Sequence, residues 1–322
     1  MNRRPTQLLD VAPFSMAIMA VCIVYFVFLA VRNAQFADES GGYGNGLLGF
    51  DGELLRAYGA SYREAVWTGG WRNLILPVFM HGGLVHIGFN MWTLFTMGPS
   101  AEVHFGSANF GTLWLVTGIG GACCSVVLGG HTSVGASGAI FGLLGAQLAV
   151  HLIKQWDWRR ALKSSDVKQT LFFIGMLFVL SFFMKAIDHW AHLGGLIFGL
   201  AFGCLFEYWR KHQRIGWSLI VLAFGLWLGV IACTRWTVFH PHYHVIQGLQ
   251  AEEADRIEEA EAHYEEARRW QKMFPSRLAA RAAGEALYHA AEAQNLPRID
   301  RLHYLYIDLM AELNPELKDG VE

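Results

Sequence analysis

Residues 133–152 read SVGASGAIFGLLGAQLAVHL, a stretch that contains no Lys, Arg, Asp or Glu. A hydrocarbon core of roughly 30 Å needs about 20 mostly apolar residues in a helix, so this stretch is long enough to cross a membrane. Gly and Ala recur along it, and such small residues let neighbouring helices approach closely. The stretch therefore predicts a membrane-spanning helix within an all-α fold.

Six other stretches have comparable length and composition, which gives predicted spans at 13–31, 75–97, 110–130, 133–152, 170–187, 189–209 and 216–233. The 322 residues are 53% hydrophobic and only 16% charged, whereas soluble domains carry roughly 25% charged residues. This composition excludes a single soluble globule. A nucleic-acid binder is also excluded, because it would need a concentrated basic face. We therefore predict a polytopic helical membrane bundle.

The charge is divided unevenly along the chain. Residues 1–245 contain 16 Lys/Arg and 11 Asp/Glu, whereas residues 246–322 contain 9 and 16. Pro275, Pro297 and Pro315 punctuate this acidic tail, so we predict a small soluble helical domain at 246–322. The other predicted divisions are a terminal segment at 1–12, a six-span core at 13–209 and the seventh span with its flanks at 210–235.

The basic residues also predict an orientation, because short cytoplasmic loops are enriched in Lys and Arg. An N-terminus inside the cell places on the cytoplasmic side Arg3, Arg4, Lys154, Arg159, Arg160, Lys163, Lys168, Arg210, Lys211 and Arg214. The opposite side then has fewer basic residues, most of them balanced by acidic residues in the loop 33–74. We expect a cytoplasmic N-terminus and, after seven spans, a tail outside.

Polar side chains interrupt three of the predicted spans, and polar groups inside a membrane usually mark function. The second span reads HGGLVHIGFN from His81 to Asn90, and His86 and Asn90 lie one turn apart on one helical face. Ser137 opens the fourth span and His192 lies early in the sixth. Even-numbered spans run from outside to inside in this orientation, so we expect these side chains to converge on one cavity in the outer half of the bilayer.

A serine becomes a nucleophile when a base lies within hydrogen-bond reach, and neutral histidine is the usual partner. The amide of Ser137 lies in the first turn of its helix, where it lacks an intrahelical acceptor and is a natural oxyanion donor. His86 and Asn90 can supply side-chain donors to the same charge. The structural alternatives are that Ser137 is a small packing residue and that His86 and Asn90 form a hydrogen-bonded pair.

These motifs follow one another in a characteristic order. They are Trp71-Arg72, the H-x4-H-x3-N run of His81, His86 and Asn90, Gly98-x3-Glu102-x3-Gly106, Gly135-x-Ser137-Gly138, and Ala191-His192 followed by Gly195-x3-Gly199. Over roughly residues 67–205 the chain resembles the rhomboid family of intramembrane serine proteases. The seventh span resembles the six-plus-one arrangement of bacterial members, which implies the inner (plasma) membrane.

The resemblance implies a Ser137 nucleophile, a His192 general base and an oxyanion hole formed by His86, Asn90 and the Ser137 amide. It implies no cofactor and no metal. Substrates would be transmembrane segments of single-pass proteins, which enter from the lipid bilayer and are cut near its outer face. Supporting roles fall to His81, Gly135, Gly138, Gly195, Gly199, Trp71, Arg72, Glu102 and to Phe141, whose ring would stack on His192. A protein partner of the tail is left open.

The same residues are compatible with other functions. A catalytically silent rhomboid-like protein would bind transmembrane clients, but such proteins usually lack the serine or the histidine. A membrane metalloenzyme would show His boxes with carboxylates or H-E-x-x-H, and neither is present. A transporter would have polar groups across the whole bilayer, whereas the polar side chains here are expected in its outer half only. Whether Asp188 orients His192 is open, and we expect the stretch with His240, His242 and His244 to be an interfacial loop rather than a metal site.

Overall fold

A computed structural model describes residues 12–40, 46–68, 70–129, 132–155, 158–183, 187–211, 225, 229, 240–273 and 276–314. These residues are mainly α-helical, and their only β pairing is a single antiparallel bridge between Ser61 and Ser133. The chain divides into two compact units, Met1–Cys233 and Thr234–Glu322. The all-α fold class predicted from the sequence is confirmed.

The described residues of the first unit form six long helices and several short ones. In chain order the helices are α1 (Pro13–Ser40), α2 (Gly52–Ala57), α3 (Arg63–Trp67), α4 (Arg72–Ile75), α5 (Leu84–Phe105), α6 (Ser107–Cys124), α7 (Ser137–Gln155), α8 (Trp158–Ala161), α9 (Ser165–Phe183) and α10 (His189–Lys211). Short 3-10 helices occupy Gly46–Leu48 and Leu76–Phe79, and a π-helical turn, Ser125–Gly129, continues α6.

Four segments among the described residues are long and apolar enough to cross a membrane: Pro13–Gln35, Ser107–Gly129, Ser137–Lys154 and His189–Lys211. They coincide with the predicted spans at 13–31, 110–130, 133–152 and 189–209. α9 overlaps the predicted fifth span, 170–187, but begins earlier in the chain. The predicted seventh span, 216–233, lies outside the described residues apart from 225 and 229.

The prediction of one continuous span over 75–97 was wrong. The segments Arg72–Phe79 and Leu84–Phe105 meet at a bend of 82°, and residues 80–83 between them are not helical. Two consecutive glycines, Gly82 and Gly83, lie in this break, where their low helix propensity favours leaving the helix. His81 therefore precedes α5 rather than belonging to it.

α7 is packed between several neighbours, including α6, α9 and α10. A Cβ atom on Gly195 would collide with the carbonyl oxygen of Gly138, and one on Gly199 would collide with that of Gly142. The backbones of α7 and α10 therefore touch directly, as small residues permit in membrane helix pairs. This crossing places the first turns of α7 and α10 side by side.

Glu102 ties the beginning of α1 to the end of α5. One carboxylate oxygen accepts from the Ser15 amide at 2.7 Å and the Ser15 hydroxyl at 2.8 Å. The other accepts from the Phe14 amide at 3.0 Å and the Ser107 hydroxyl at 2.6 Å. These bonds satisfy amides at the start of α1 that lack an intrahelical partner, so the geometry gives Glu102 a structural position.

The second unit contains α11 (Pro241–Glu253), α12 (Ile257–Met273), α13 (Arg277–Glu292) and α14 (Leu296–Leu313). These form two helical hairpins, and their buried core includes Tyr264, Leu302, Leu305 and Leu309. The Glu252 side chain, only 2% exposed, joins the hairpins through Arg298 Nε at 3.0 Å and Arg301 Nε at 2.9 Å. The prediction of a small helical domain at 246–322 did not include the start of α11 at Pro241.

The prediction of an interfacial loop at His240, His242 and His244 was wrong. Pro241 is the first residue of α11, and the His240 side chain caps that helix by accepting from the His242 amide at 3.2 Å. Proline is preorganised for the first helical position, because its missing N–H would have no partner there. His242 and His244 are consequently buried on a helix.

Candidate active site

Ser137 and His192 lie together at the adjacent beginnings of α7 and α10. The Oγ of Ser137 is 2.8 Å from Nε2 of His192, which is hydrogen-bond distance. The ring of Phe141, one turn after Ser137, stacks on the imidazole with a centroid separation of 4.4 Å and an interplanar angle of 17°. Only 4% of His192 is exposed. A buried, stacked imidazole in contact with a hydroxyl has the geometry of a nucleophile and its base.

Asp188 holds the first turn of α10. One of its carboxylate oxygens accepts from the amides of Trp190 and Ala191, each at 3.0 Å, as an N-cap residue does. Among the described residues, neither the second oxygen of Asp188 nor Nδ1 of His192 has a hydrogen-bond partner. Asp188 therefore caps the helix that carries His192, and the structure does not show it as a third member of a triad.

His86 and Asn90 lie on the first turns of α5. The side-chain amide of Asn90 donates to the His86 carbonyl at 2.9 Å. The His86 imidazole lies against Gly135, since a Cβ atom on residue 135 would be 2.7 Å from its Nε2. His81, fully buried in the break before α5, contacts His86 edge-on at 5.2 Å between ring centroids.

A cavity of about 590 Å³ brings most of the predicted site together. Its lining includes Ser137, His192, His86, Asn90, Gly135, Gly138 and Phe141. Residues 48–50, 52 and 55 from the loop after α1 contribute to one wall, and residues 132–135 to another. The walls are largely apolar, and the polar groups gather near Ser137. Such an arrangement is typical of a binding site that orients its ligand through a few polar atoms.

The remaining predicted residues lie outside this lining. Gly195 and Gly199 are in the α7–α10 crossing, Glu102 is near the end of α5, and His81 is behind His86. Trp71 precedes α4 with 71% of its surface exposed, and Arg72 is also exposed.

Two buried polar residues that the sequence reasoning missed hold the loop between α1 and α5. Arg63 is 7% exposed and donates to the carbonyls of Val126 at 2.9 Å and Val127 at 3.2 Å. Asn73 is 4% exposed and donates to the Ala60 carbonyl at 2.8 Å. The sequence contains a weak signal for Arg63, because Trp67 follows it by one helical turn. In the structure the guanidinium of Arg63 lies 5.2 Å from the centroid of the Trp67 indole.

Known proteins resemble this chain over the region that contains most of the cavity lining. Residues 68–209 match the model of the Rhomboid domain. The chain is 34% identical to Rhomboid protease GluP of Bacillus subtilis over 176 residues, 54% of this chain and 33% of that protein. It is 36% identical to Rhomboid-type serine protease 2 of Emericella nidulans over 165 residues, 49% of this chain and 31% of that protein. It is 31% identical to RHOMBOID-like protein 4 of Arabidopsis thaliana over 240 residues, 69% of this chain and 59% of that protein.

The chain thus spans between about a third and three fifths of the length of these curated relatives. The matched region contains the whole cavity wall formed by α5, α7, α9 and α10. The apolar helices and the matched domain together identify an integral membrane protein. Residues 68–209 therefore form a rhomboid domain, and over this region the chain is similar to members of the rhomboid family.

Proposed function

We propose that this protein is an intramembrane serine endopeptidase that cuts transmembrane segments of single-pass membrane proteins with a Ser137–His192 dyad. The observation that carries the proposal is the 2.8 Å approach of Ser137 Oγ to His192 Nε2, located in a largely apolar cavity formed by membrane helices. A serine and a histidine at this distance supply a nucleophile and its general base.

The proposed reaction follows from these two side chains. Nε2 of His192 accepts the hydroxyl proton while Ser137 Oγ attacks the scissile carbonyl carbon, which produces a tetrahedral intermediate. The imidazolium then donates that proton to the departing amine, and an acyl-enzyme remains. Water, deprotonated by the same nitrogen, attacks the acyl carbon; the bond to Ser137 Oγ then breaks, the imidazolium returns its proton to Oγ, and the carboxylic acid product leaves. The tautomer required at the start has its proton on Nδ1 and leaves Nε2 free to accept.

The negative oxygen of the intermediate needs donors that are already in position. We propose the Ser137 amide, the second N–H of the Asn90 amide and the His86 imidazole, which belong to three residues that line the cavity. One N–H of Asn90 is used by the His86 carbonyl at 2.9 Å, and this bond fixes the amide plane. Removing one such donor from a hydrolase typically costs about 10²–10³ in kcat.

We propose that substrates enter from the lipid between α5 and α9. Phe89, Asn90 and Thr93 of α5 and Leu177 of α9 line the cavity. A second, small cleft lies between the same helices, lined by Trp92, Thr93, Thr96, Met97, Phe173, Met176 and Leu177. The outer faces of both helices are apolar, with Trp92 53% and Phe172 65% exposed. An apolar helix can therefore approach this opening without leaving the hydrocarbon region.

We also propose that the site faces the outer half of the bilayer, with the N-terminus in the cytoplasm. Ser137, His192 and His86 lie at the starts of α7, α10 and α5, whereas the opposite ends of α7 and α10 carry Lys154, Arg210 and Lys211. At that opposite end Glu207 contacts His104 at 3.2 Å and Arg210 at 2.7 Å. The positive-inside rule places the basic ends in the cytoplasm. The bacterial inner membrane remains the predicted location of the protein.

The first test is labelling of the purified, detergent-solubilised protein with a fluorophosphonate probe, followed by cleavage of a model transmembrane substrate in liposomes. We expect the wild type to label and cleave, and Ser137→Ala and His192→Ala each to lose more than about 10³-fold of both activities. Ser165→Ala is the matched control, because this exposed serine is at the start of α9, remote from the dyad.

Retained cleavage by a folded Ser137→Ala or His192→Ala variant would refute the dyad. A wild type that labels but cleaves no transmembrane substrate would contradict the endopeptidase assignment while leaving an activated serine. A folded wild type that neither labels nor cleaves would favour the catalytically silent alternative, a protein that binds transmembrane clients.

A further inference from the structure

Residues 61–63, in the loop between α1 and α5, contact both sides of the connection that leads from α6 to Ser137. Ser61 and Ser133 form the antiparallel bridge, with the Ser61 amide donating to the Ser133 carbonyl at 2.9 Å and the Ser133 amide donating back at 2.7 Å. Arg63 donates to the carbonyls of Val126 and Val127 at 2.9 and 3.2 Å. Residues 61–63 are called the clamp below.

The Arg63 contacts occur where α6 ends. Val126 and Val127 belong to the π-helical turn Ser125–Gly129, and carbonyls in the last turn of a helix lack intrahelical donors. A cation near that end also interacts favourably with the helix dipole. Because Arg63 is 7% exposed, its two hydrogen bonds are shielded from competing water.

The Ser61 contacts act further along the same connection. Residues 132–135 line the cavity next to Ser137, and this short stretch is held at several points. Thr132 accepts from Arg56 Nε at 2.9 Å, Ser133 is bridged to Ser61, and the Gly135 amide donates to the Pro77 carbonyl at 2.9 Å. The dyad has its own supports, namely the α7–α10 crossing and the Asp188 cap. The cavity wall and the dyad are therefore held by different contacts.

We propose that the clamp is a positioning element that sets the cavity wall at residues 132–135 and so controls how tightly the substrate peptide binds beside Ser137. The proposal rests on the proposed function, since it assigns a determinant of substrate binding to the same site. Arg63 and Ser61 do not touch the reacting atoms, and they act through the carbonyls of Val126 and Val127 and through the backbone of Ser133.

The clamp predicts a separation between substrate binding and chemistry. In the full-length protein we would measure KM and kcat for a model transmembrane substrate in liposomes, and the labelling rate with a small fluorophosphonate. Arg63→Met removes both hydrogen bonds, and Ser61→Pro removes the amide that donates to Ser133. We expect Arg63→Met, which loses two hydrogen bonds, to raise KM by about tenfold, and Ser61→Pro, which loses one, to raise KM by about fivefold. The kcat and the labelling rate should change by less than about threefold.

Two conservative variants serve as controls. Ser61→Ala keeps the backbone bridge, and its hydroxyl has no hydrogen-bond partner among the described residues, so its KM should match that of the wild type. Arg63→Lys retains one donor and should show a KM between those of the wild type and Arg63→Met. If Arg63→Met fails to fold, Ser61→Pro and Arg63→Lys carry the same test.

Unchanged KM values in folded Arg63→Met and Ser61→Pro would overturn the clamp, as would a joint loss of kcat and labelling at constant KM. Such a joint loss would mean that the dyad itself had been disturbed. Failure of the proposed function is distinguishable, because it appears in the wild type as absent labelling and cleavage. Failure of the clamp appears only in the variants and leaves the wild type active.

Discussion

Gly135 decides whether His86 can reach the cavity. Its φ of +134° lies in the region that L side chains rarely adopt, and a Cβ atom there would be 2.7 Å from His86 Nε2. A neighbour at that distance has to move, so any side chain at 135 displaces the imidazole. Only glycine permits both the backbone turn into α7 and the close approach of His86.

We therefore expect Gly135→Ala to lower the cleavage rate by about 100-fold or more, since strain of about 1–3 kcal/mol is combined with a displaced oxyanion donor. Cleavage of a transmembrane substrate in liposomes is the measurement. Gly52→Ala is the matched control, because Gly52 also lines the cavity but has open space where its Cβ would be. A Gly135→Ala protein with wild-type kinetics would exclude this role for Gly135.

At the scale of elements, the contact between α7 and α10 determines where Ser137 and His192 meet. The α7 backbone at Gly138 and Gly142 contacts Gly195 and Gly199 of α10 so closely that no Cβ atom fits on α10 at these positions. A carbonyl oxygen on a helix cannot move aside as a flexible side chain can. A bulkier residue would therefore separate the helices and lengthen the Oγ–Nε2 distance.

Gly199→Ala should consequently destabilise the fold by about 1–3 kcal/mol through overpacking and reduce fluorophosphonate labelling. Gly175→Ala on α9 is the matched control, because nothing lies within 4 Å of its Cβ position. That change should be neutral or stabilise by up to about 1 kcal/mol, as expected from helix propensity. Thermal unfolding in detergent compares the two variants, and equal melting temperatures would contradict the close-crossing argument.

At the scale of the whole molecule, the chain consists of two units with separate cores. In the second unit, a histidine of α11 and a histidine of α12 are in contact. Nδ1 of His244 is 3.2 Å from Nδ1 of His263. Burial lowers the pKa of His263, opposed by the nearby carboxylates of Glu259 and Glu266 and assisted by Arg256. The folded tail therefore holds His263 in its neutral form to a lower pH than the unfolded tail does.

This lowered pKa gives the tail a pH dependence of defined sign. The contribution of His263 to stability is fully present above the unfolded pKa of about 6.5 and declines as the pH falls toward the folded pKa. We expect hydrogen-exchange protection factors of α11 and α12 in the full-length protein to be smaller at acidic than at neutral pH. His263→Gln should reduce that difference, whereas His303→Gln, at an exposed position on α14, should not. Equal protection at both pH values would contradict the prediction.

The sequence by itself determined the all-α class of the protein and four of the helices that are long and apolar enough to cross a membrane. Stretches such as 133–152 were predictable because a helix in lipid must be apolar along its whole length, which is a local property of the chain. The order of the motifs around Ser137 and His192 was likewise sufficient to predict the rhomboid domain. The helices of the tail were predictable in kind from their proline punctuation, although the start of α11 at Pro241 was not.

Only the tertiary structure decided the contacts between residues far apart in sequence. It brought Ser137 Oγ to 2.8 Å from His192 Nε2 across 55 positions. It also placed Arg63 against Val126 and Val127, which no periodic pattern indicates. The physical reason is that hydrogen-bond partners of buried polar groups are chosen by the packing of distant segments. A pattern along the chain shows that a polar residue needs a partner, and the fold decides which one it has.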